Sequence, residues 1–530
     1  MKARLRTTVG ILEVLFIATL VAMGTWLGCR GNYGTTSDIA AGGSDFLATG
    51  RTLSFFTAIQ VDPQSEDSAG PQFVVDADIN DDGLLDLVSA WNQSQPVQIH
   101  FQQRNRAGEI SFETITLAGN IPVVRVAGLG VADFDLDGAP DIAVLVKQSG
   151  LAEAGCLEAQ SPVAGGYAGV VIVYLAPSAA AATNQALAWR ETPIGSSLLA
   201  GLTKGNPGPP EEEGFTSMAM GDLDVDGDVD IVVAWIGACG GDPEILTFTN
   251  GGPGAVRDGS WSVAAIADPF PKGPLVQDEG GLDPVRVKDV ALGDVDDDGD
   301  LDVIATYPDA GSLNIRWYRN PVVDIADDYH VSTTEWQTGV VGQVSPKADF
   351  EDLGGADIIR VSDVDGDGLL DVVVRSSGGR VIQWLKGPGI QATTAPLPNI
   401  PWRVYTLAEF TERTPEGLAV GDLNLDGQPE VIAAASGGLL FFDSQSAPSV
   451  FEQWTEQLIV DDIAPGQPGE SPATTDPNVA SAEIAGTTFI NSILVVDLDG
   501  DGANDLVATF DRSGLSGLSN DALVWFRNTR

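Results

Sequence analysis

Seven short acidic loops, each running straight into an apolar strand, constrain this chain more than any other feature. In the third copy, GDLDVDGDVDIVVAW at residues 221–235, Asp222, Asp224, Asp226 and Asp230 crowd around Gly227. The others read DINDDGLLDLV from Asp78, DFDLDGAPDIAV from Asp133, DVDDDGDLDVIA from Asp294, DVDGDGLLDVVV from Asp363, DLNLDGQPEVIA from Asp422 and DLDGDGANDLVA from Asp497. The shared pattern is D-x-D/N-x-D-G-x-x-D/E. Successive first aspartates lie 55, 89, 72, 69, 59 and 75 residues apart. A chain that repeats one unit this way builds a ring or a solenoid, because a single unit cannot bury its own apolar face.

Each loop sits in the same strand pattern. An apolar stretch precedes it, such as FTSMAMG, and a β-branched run such as DIVVAW follows. A third run comes next: PVQIHFQQ, GVVIVYL, EILTFT, LNIRWYRN, RVIQWLK, GLLFFD and ALVWFRN. Short β-branched and aromatic runs bounded by Gly, Pro, Asn and Asp read as strands. A fourth strand with an aromatic near its start follows in six repeats, and no sustained helical period appears. The seventh repeat lacks that fourth strand. LSFFTAIQVDP at residues 53–63 resembles SWSVAAIADP at 260–269 and supplies it from the other end. A first strand that completes the last blade closes a ring and removes its open edges. The expected fold is all-β: a seven-bladed β-propeller of four-stranded blades, with the N-terminal strand closing the last. An open β-solenoid is the runner-up, and it needs no displaced strand. The expected division is a signal at 1–29, a linker at 30–50 and the propeller at 51–530.

Like charges gather where a cation sits among them. Calcium takes about 6 to 8 hard oxygen ligands, and the loops offer them at positions one, three, five and nine. The expected ligands are Asp78, Asn80, Asp82 and Asp86 in the first loop, then Asp133, Asp135, Asp137 and Asp141 in the second. In the third they are Asp222, Asp224, Asp226 and Asp230, with the Asp228 carbonyl able to join; in the fourth, Asp294, Asp296, Asp298 and Asp302. Asp363, Asp365, Asp367 and Asp371 serve the fifth, Asp422, Asn424, Asp426 and Glu430 the sixth, and Asp497, Asp499, Asp501 and Asp505 the seventh. The glycine at position six allows the sharp turn. An EF-hand closes with a Glu at position twelve on a helix, whereas here position nine closes and a strand begins at once. Up to seven calcium ions are expected, with the fifth loop binding more tightly than the sixth. Magnesium fits less well because it demands stricter octahedral geometry. The competing reading is a set of acidic turns that merely solvate hairpins.

These loops and strands resemble bacterial FG-GAP/VCBS-repeat proteins, whose blades look like those of the integrin α-subunit propeller. The resemblance covers roughly residues 50–530 and rests on the acidic loops between first and second strands. The Phe-Gly and Gly-Ala-Pro signatures that name the family are not evident, so the VCBS-like branch fits better. The resemblance implies calcium and an extracellular binding, adhesion or scaffold role, and no single ligand.

The chain of 530 residues carries a net charge of −48. Nucleic acid is a poor partner for it, since phosphate binding needs a basic patch. MKARLR followed by an apolar segment and Cys29 reads as an export signal, and WLGC resembles a lipobox. Lipidation at Cys29, plain secretion and an uncleaved anchor are the alternatives. All of them place the chain at the cell surface, in the periplasm or outside the cell, and any membrane contact is made through that segment. Cys156 and Cys239 follow the second strands of blades 2 and 3, and either pair as a disulfide or stand as isolated thiols. With two histidines, His100 and His330, and no Cys/His cluster, zinc and haem are not expected. Trp189, Trp261, Trp336, Trp402 and Trp454 recur at one blade position, which suits packing better than a carbohydrate platform. Long Gly/Pro/acidic insertions at 147–168, 195–214, 268–284 and 461–485 gather on the face opposite the acidic loops. An unknown protein or glycan ligand is expected there. The functional reading is a non-catalytic binding module. The alternative is a carbohydrate-active lyase or dehydratase on a similar propeller, which would need a base in the central funnel.

Overall fold

In each repeat the second strand is apolar on both faces, and this is what stacks one blade on the next. Asp86–Trp91, Glu430–Ala435 and Asp505–Phe510 are buried along their whole length. A strand covered on both sides reads as a continuous apolar run rather than an alternating one. The computed structural model describes residues 51–52, 56–61, 70–92, 96–121, 123–149, 170–178, 183–194, 214–236, 243–266, 287–308, 314–322, 336–342, 355–389, 402–410, 414–435, 438–443, 455–460, 490–511 and 522–529. Residues 1–54 and 55–530 form separate units. In the first, the described residues are the short strand Arg51–Thr52. The second is the propeller.

Seven four-stranded antiparallel blades surround a common axis. In blade 3, Gly214–Gly221, Asp230–Ile236, Pro243–Thr249 and Ser262–Ile266 pair in that order. The same meander builds blades 1 (71–116), 2 (123–194), 4 (290–342), 5 (358–409) and 6 (415–460). Blade 7 takes Ile493–Val496, Asp505–Phe510 and Ala522–Asn528 from one end of the chain and Phe56–Gln60 from the other. Ala58 lies opposite Phe526 and Ile59 opposite Trp525, so the expected closure is present. The first strand of every blade packs against the first strand of the next, and Ile493–Val496 packs against Pro71–Ala77 to complete the ring. Close approach there leaves no room for a side chain. A Cβ at Gly221 would lie 2.5 Å from Leu301 Cδ1, and one at Gly421 would lie 2.6 Å from Val495 Cγ1.

The core is a ring of clusters, each shared by two adjacent blades. Trp189, Trp261, Trp336 and Trp402 are buried, each in the cluster between its own blade and the preceding one. They therefore pack, as the recurrence suggested. One six-residue helix, Pro253–Asp258, follows the third strand of blade 3, with proline in its first turn and Gly259 in the left-handed conformation at its end. It is too short to show a sequence period. No helix among the described residues is long and apolar enough to cross a membrane. Trp454, His330, Cys29, Cys156, Cys239 and the greater part of the four long insertions lie outside the described residues.

Candidate metal centres in the blade loops

The acidic loops link the first and second strands of every blade, and all seven have one construction. The carboxylate at position one accepts the amides of positions five and six. Asp222 takes the amides of Asp226 at 3.1 Å and Gly227 at 3.0 Å, and Asp78 takes those of Asp82 and Gly83 at 3.0 and 2.8 Å. The carboxylate at position five accepts the amide of position seven, as Asp226 does from Asp228 at 2.9 Å. The backbone turns left-handed at position four, at Asp81, Leu136, Val225, Asp297, Gly366, Leu425 and Gly500, and again at the glycine in position six.

Position nine does more than close the loop. One oxygen of Asp230 accepts the amide of Leu223 at 3.0 Å, and the other accepts the amide of Asn250, just past the third strand, at 2.8 Å. Asp86, Asp141, Asp302, Asp371 and Asp505 make the same pair of bonds. Glu430 takes the amide of Leu423 and the side chain of Asn424. Asn250, Asn320 and Asn528 then donate from their side chains to the carbonyls of Phe134, Leu223 and Leu423 in the loop of the preceding blade, and Gln102 does so to Leu498. The acid at position nine is thus a buried clasp as well as a candidate ligand.

In blades 2 to 5 the carboxylates of positions one, three and nine converge. One oxygen from each of Asp133, Asp135 and Asp141 lies within 4.8 Å of the others. The same holds for Asp222, Asp224 and Asp230, for Asp294, Asp296 and Asp302, and for Asp363, Asp365 and Asp371. In blade 6 the set is Asp422, Asp426 and Glu430. Oδ1 of Asp135, Asp224, Asp296 and Asp365 is buried with no hydrogen-bond partner. Buried oxygens of this kind are normally satisfied, so these four fit a metal ion. Electrostatics agrees. Burial pushes Asp86, Asp141 and Asp230 up to about 7, Asp371 and Asp505 to about 6, Glu430 to about 8 and Asp302 well above the usual range. Asp224 is raised to about 6, by burial first and then by the neighbouring Asp226 carboxylate. A divalent cation would reverse each of these shifts.

Four loops already hold a cation that sequence reasoning missed. Arg319 Nε lies 2.5 Å from Asp296 Oδ2 and its Nη2 lies 2.7 Å from Asp298 Oδ2, with the side chain 1% exposed. Lys386 Nζ contacts Asp365 and lies 2.6 Å from Asp367. Arg527 contacts Asp499 and reaches Asp501 at 3.6 Å. Arg257, on the short helix, lies 2.8 Å from Asp135 of the preceding blade. The signal for three of them stands in the third strands, where RWYRN, IQWLK and VWFRN share a tryptophan two places before the base.

One comparison with known proteins, the family model, agrees with a repeated unit. A model described as FG-GAP-like repeat matches residues 78–144 and 363–433. The chain carries FG-GAP-like repeats. Each matched segment begins at the acidic loop of one blade and ends in the second strand of the next, so the sequence repeat is offset from the blade. Gly138, Ala139 and Pro140 fall inside the first segment, which moves the resemblance from the VCBS-like branch to the FG-GAP-like repeat. Among solved structures, a crystal structure of BBS1N in complex with ARL6DN, soaked with lead, is 11% identical, with a TM-score of 0.41, covering 89% of this chain and 97% of that one. No curated protein matches the chain.

His100 plays no part in these loops. It is buried between Ser89, 2.8 Å from its Nε2, and Thr114, 2.9 Å from its Nδ1. Burial pushes its pKa down to about 3, so it stays neutral as a core residue.

Proposed function

We propose that this chain is an exported, calcium-binding β-propeller that acts as a non-catalytic surface binding or scaffold module. The observation that carries the metal half is the recurrence of converging carboxylates with buried, partnerless oxygens on one face of a closed ring. Oxygen-only ligand sets built from carboxylates suit calcium best, and FG-GAP propellers often bind calcium. The basic start, the apolar segment and Cys29 support export, with lipidation at Cys29 as one route. Calcium is plentiful in the compartment that such a signal implies. The binding half rests on the architecture: a rigid ring with long Gly/Pro-rich insertions, where recognition usually resides. A protein or glycan ligand on the face opposite the acidic loops is the proposed partner. Calorimetric titration of the chelator-treated protein with calcium tests the metal half. Saturable binding supports it, and a heat trace equal to dilution sinks it. A glycan and cell-surface binding screen with and without calcium tests the binding half.

A further inference from the structure

We propose that Arg257, Arg319, Lys386 and Arg527 are built-in counter-cations that compete with calcium for the loops of blades 2, 4, 5 and 7, so that calcium enters the third blade first. This rests on the calcium reading above and says which loops the metal takes.

The strand register carries the argument. Val303 pairs with Tyr318, Val372 with Leu385 and Leu506 with Phe526. The residue after each of these partners is Arg319, Lys386 or Arg527. The same register position holds Phe101 in blade 1, Leu175 in blade 2, Thr249 in blade 3 and Asp443 in blade 6. Position three of the loop follows this choice. Where the base is present, position three is an aspartate. Blades 1 and 6 lack the base and carry Asn80 and Asn424 there. Blade 2 lacks it at Leu175 but keeps Asp135, and Arg257 arrives from the neighbouring blade instead. In these six loops an aspartate at position three goes with a base, and an asparagine with none.

Blade 3 breaks the rule. It keeps Asp224 at position three, Thr249 takes the place of the base, and no lysine or arginine among the described residues reaches the loop. Asp224 Oδ1 is buried without a partner. In blades 4 and 5 the base bridges the carboxylates of positions three and five, two of the groups that calcium needs. A tethered cation placed there must be displaced before the metal can draw on both. In blade 3 nothing has to move.

The test uses the full chain, calcium ions as the probe, and bound-ion counts from native mass spectrometry beside calorimetric affinities. Lys386→Gln and Arg527→Gln are the variants, because Arg319 is buried so fully that its loss risks misfolding. Each variant is expected to gain one calcium or to tighten one site by roughly tenfold or more, since a positive charge a few ångströms from the ion is removed. Asp224→Asn, which keeps the oxygen and removes the charge, is expected to weaken the tightest site of the wild type. If the wild type binds calcium but neither base variant gains or tightens a site, the proposal falls and the calcium reading stands. The proposal also falls if Asp224→Asn leaves the affinity of the tightest site unchanged. If the wild type binds none and the variants do, the bases are counter-cations as proposed, but the third-blade-first order falls together with the calcium reading of the wild type. Absence of binding in all of them overturns both.

Discussion

The loops of blades 3 and 5 carry four aspartates at the same four places and fold to the same turn, yet they meet different surroundings. In blade 5, Lys386 contacts both Asp365 and Asp367. In blade 3, Thr249 stands where that lysine would be, and burial and neighbouring carboxylates push Asp224 up to about 6. Counting aspartates alone ranks the two loops as equals. Counting the base that faces them puts the third loop first. The lesson is that the charge of a site includes the third strand, whose Lys386 lies 21 and 19 residues beyond Asp365 and Asp367 in sequence.

The largest effect expected from breaking this contrast comes from removing a buried base. Arg319→Gln leaves Asp296 and Asp298 without their guanidinium, and stripping one partner from a buried ion pair costs about 3 to 5 kcal/mol. Chemical denaturation in chelator should read that loss, and added calcium should restore part of it. A variant as stable as the wild type in chelator would show that the arginine is not holding the loop.

Chelation of the wild type comes next. At a dissociation constant of ~0.1 mM and ~1 mM calcium, each occupied loop adds about 1.4 kcal/mol. Seven occupied loops would add on the order of 10 kcal/mol, and one to three would add about 1.4 to 4. The smaller loss is expected, because four loops carry their own cation. Denaturation with and without chelator separates the two cases.

A pH series sharpens the same point. Asp86, Asp141 and Asp230 have folded pKa values of about 7, and Asp371 and Asp505 of about 6, against an unfolded value of roughly 4. Between those limits the folded state holds more protons than the unfolded state. The stability these groups contribute to the metal-free protein is therefore fully present below about pH 4 and is lost as pH rises through 6 to 7. The melting temperature should fall between about pH 4 and about pH 7 on their account, and calcium should flatten that dependence. A chelated protein with a level profile across this range would contradict the burial of these groups.

The smallest effect lies at position four. Val225 holds a φ of 60°, while blade 5 places Gly366 at 71° in the same place. A left-handed L-residue costs about 1 to 2 kcal/mol, and glycine gives back roughly half of that through its unfolded-state entropy. Val225→Gly should raise stability by about 0.5 to 1 kcal/mol, and Gly366→Val should lower it by a similar or larger amount. Matched thermal melts of the two variants check the sign.

The ring was legible in the sequence because its signals are local and repeated. Seven loops mark the blades, and the stretch at 53–63 betrays the closure that Phe56–Gln60 makes with Ala522–Asn528. The tryptophans at the start of the fourth strands announced packing by their recurrence, and four of them pack. The clasp at position nine was hidden, since its second partner is an amide at or near the end of the third strand, and no side-chain identity encodes an amide. The bases were half-visible. Arg319, Lys386 and Arg527 share a strand motif, but their relation to the loops depends on register, which loop lengths do not give. Arg257 was out of reach of any such reading. It rides on a helix of under two turns and serves the loop of a different blade.

The closing strand also decides how the ring comes together. Six blades are meanders of consecutive chain, so their contacts are near in sequence and can form early. The seventh pairs Ala58 with Phe526, and no contiguous stretch of chain can build it. Long-range pairing is the slow step in β-rich folding, because loop closure comes before any contact rewards it. Until that strand docks, both the Ala522–Asn528 edge and the flank of blade 1 stand open. Force applied at Phe56 would load that same seam, peeling Phe56–Gln60 away from Ala522–Asn528.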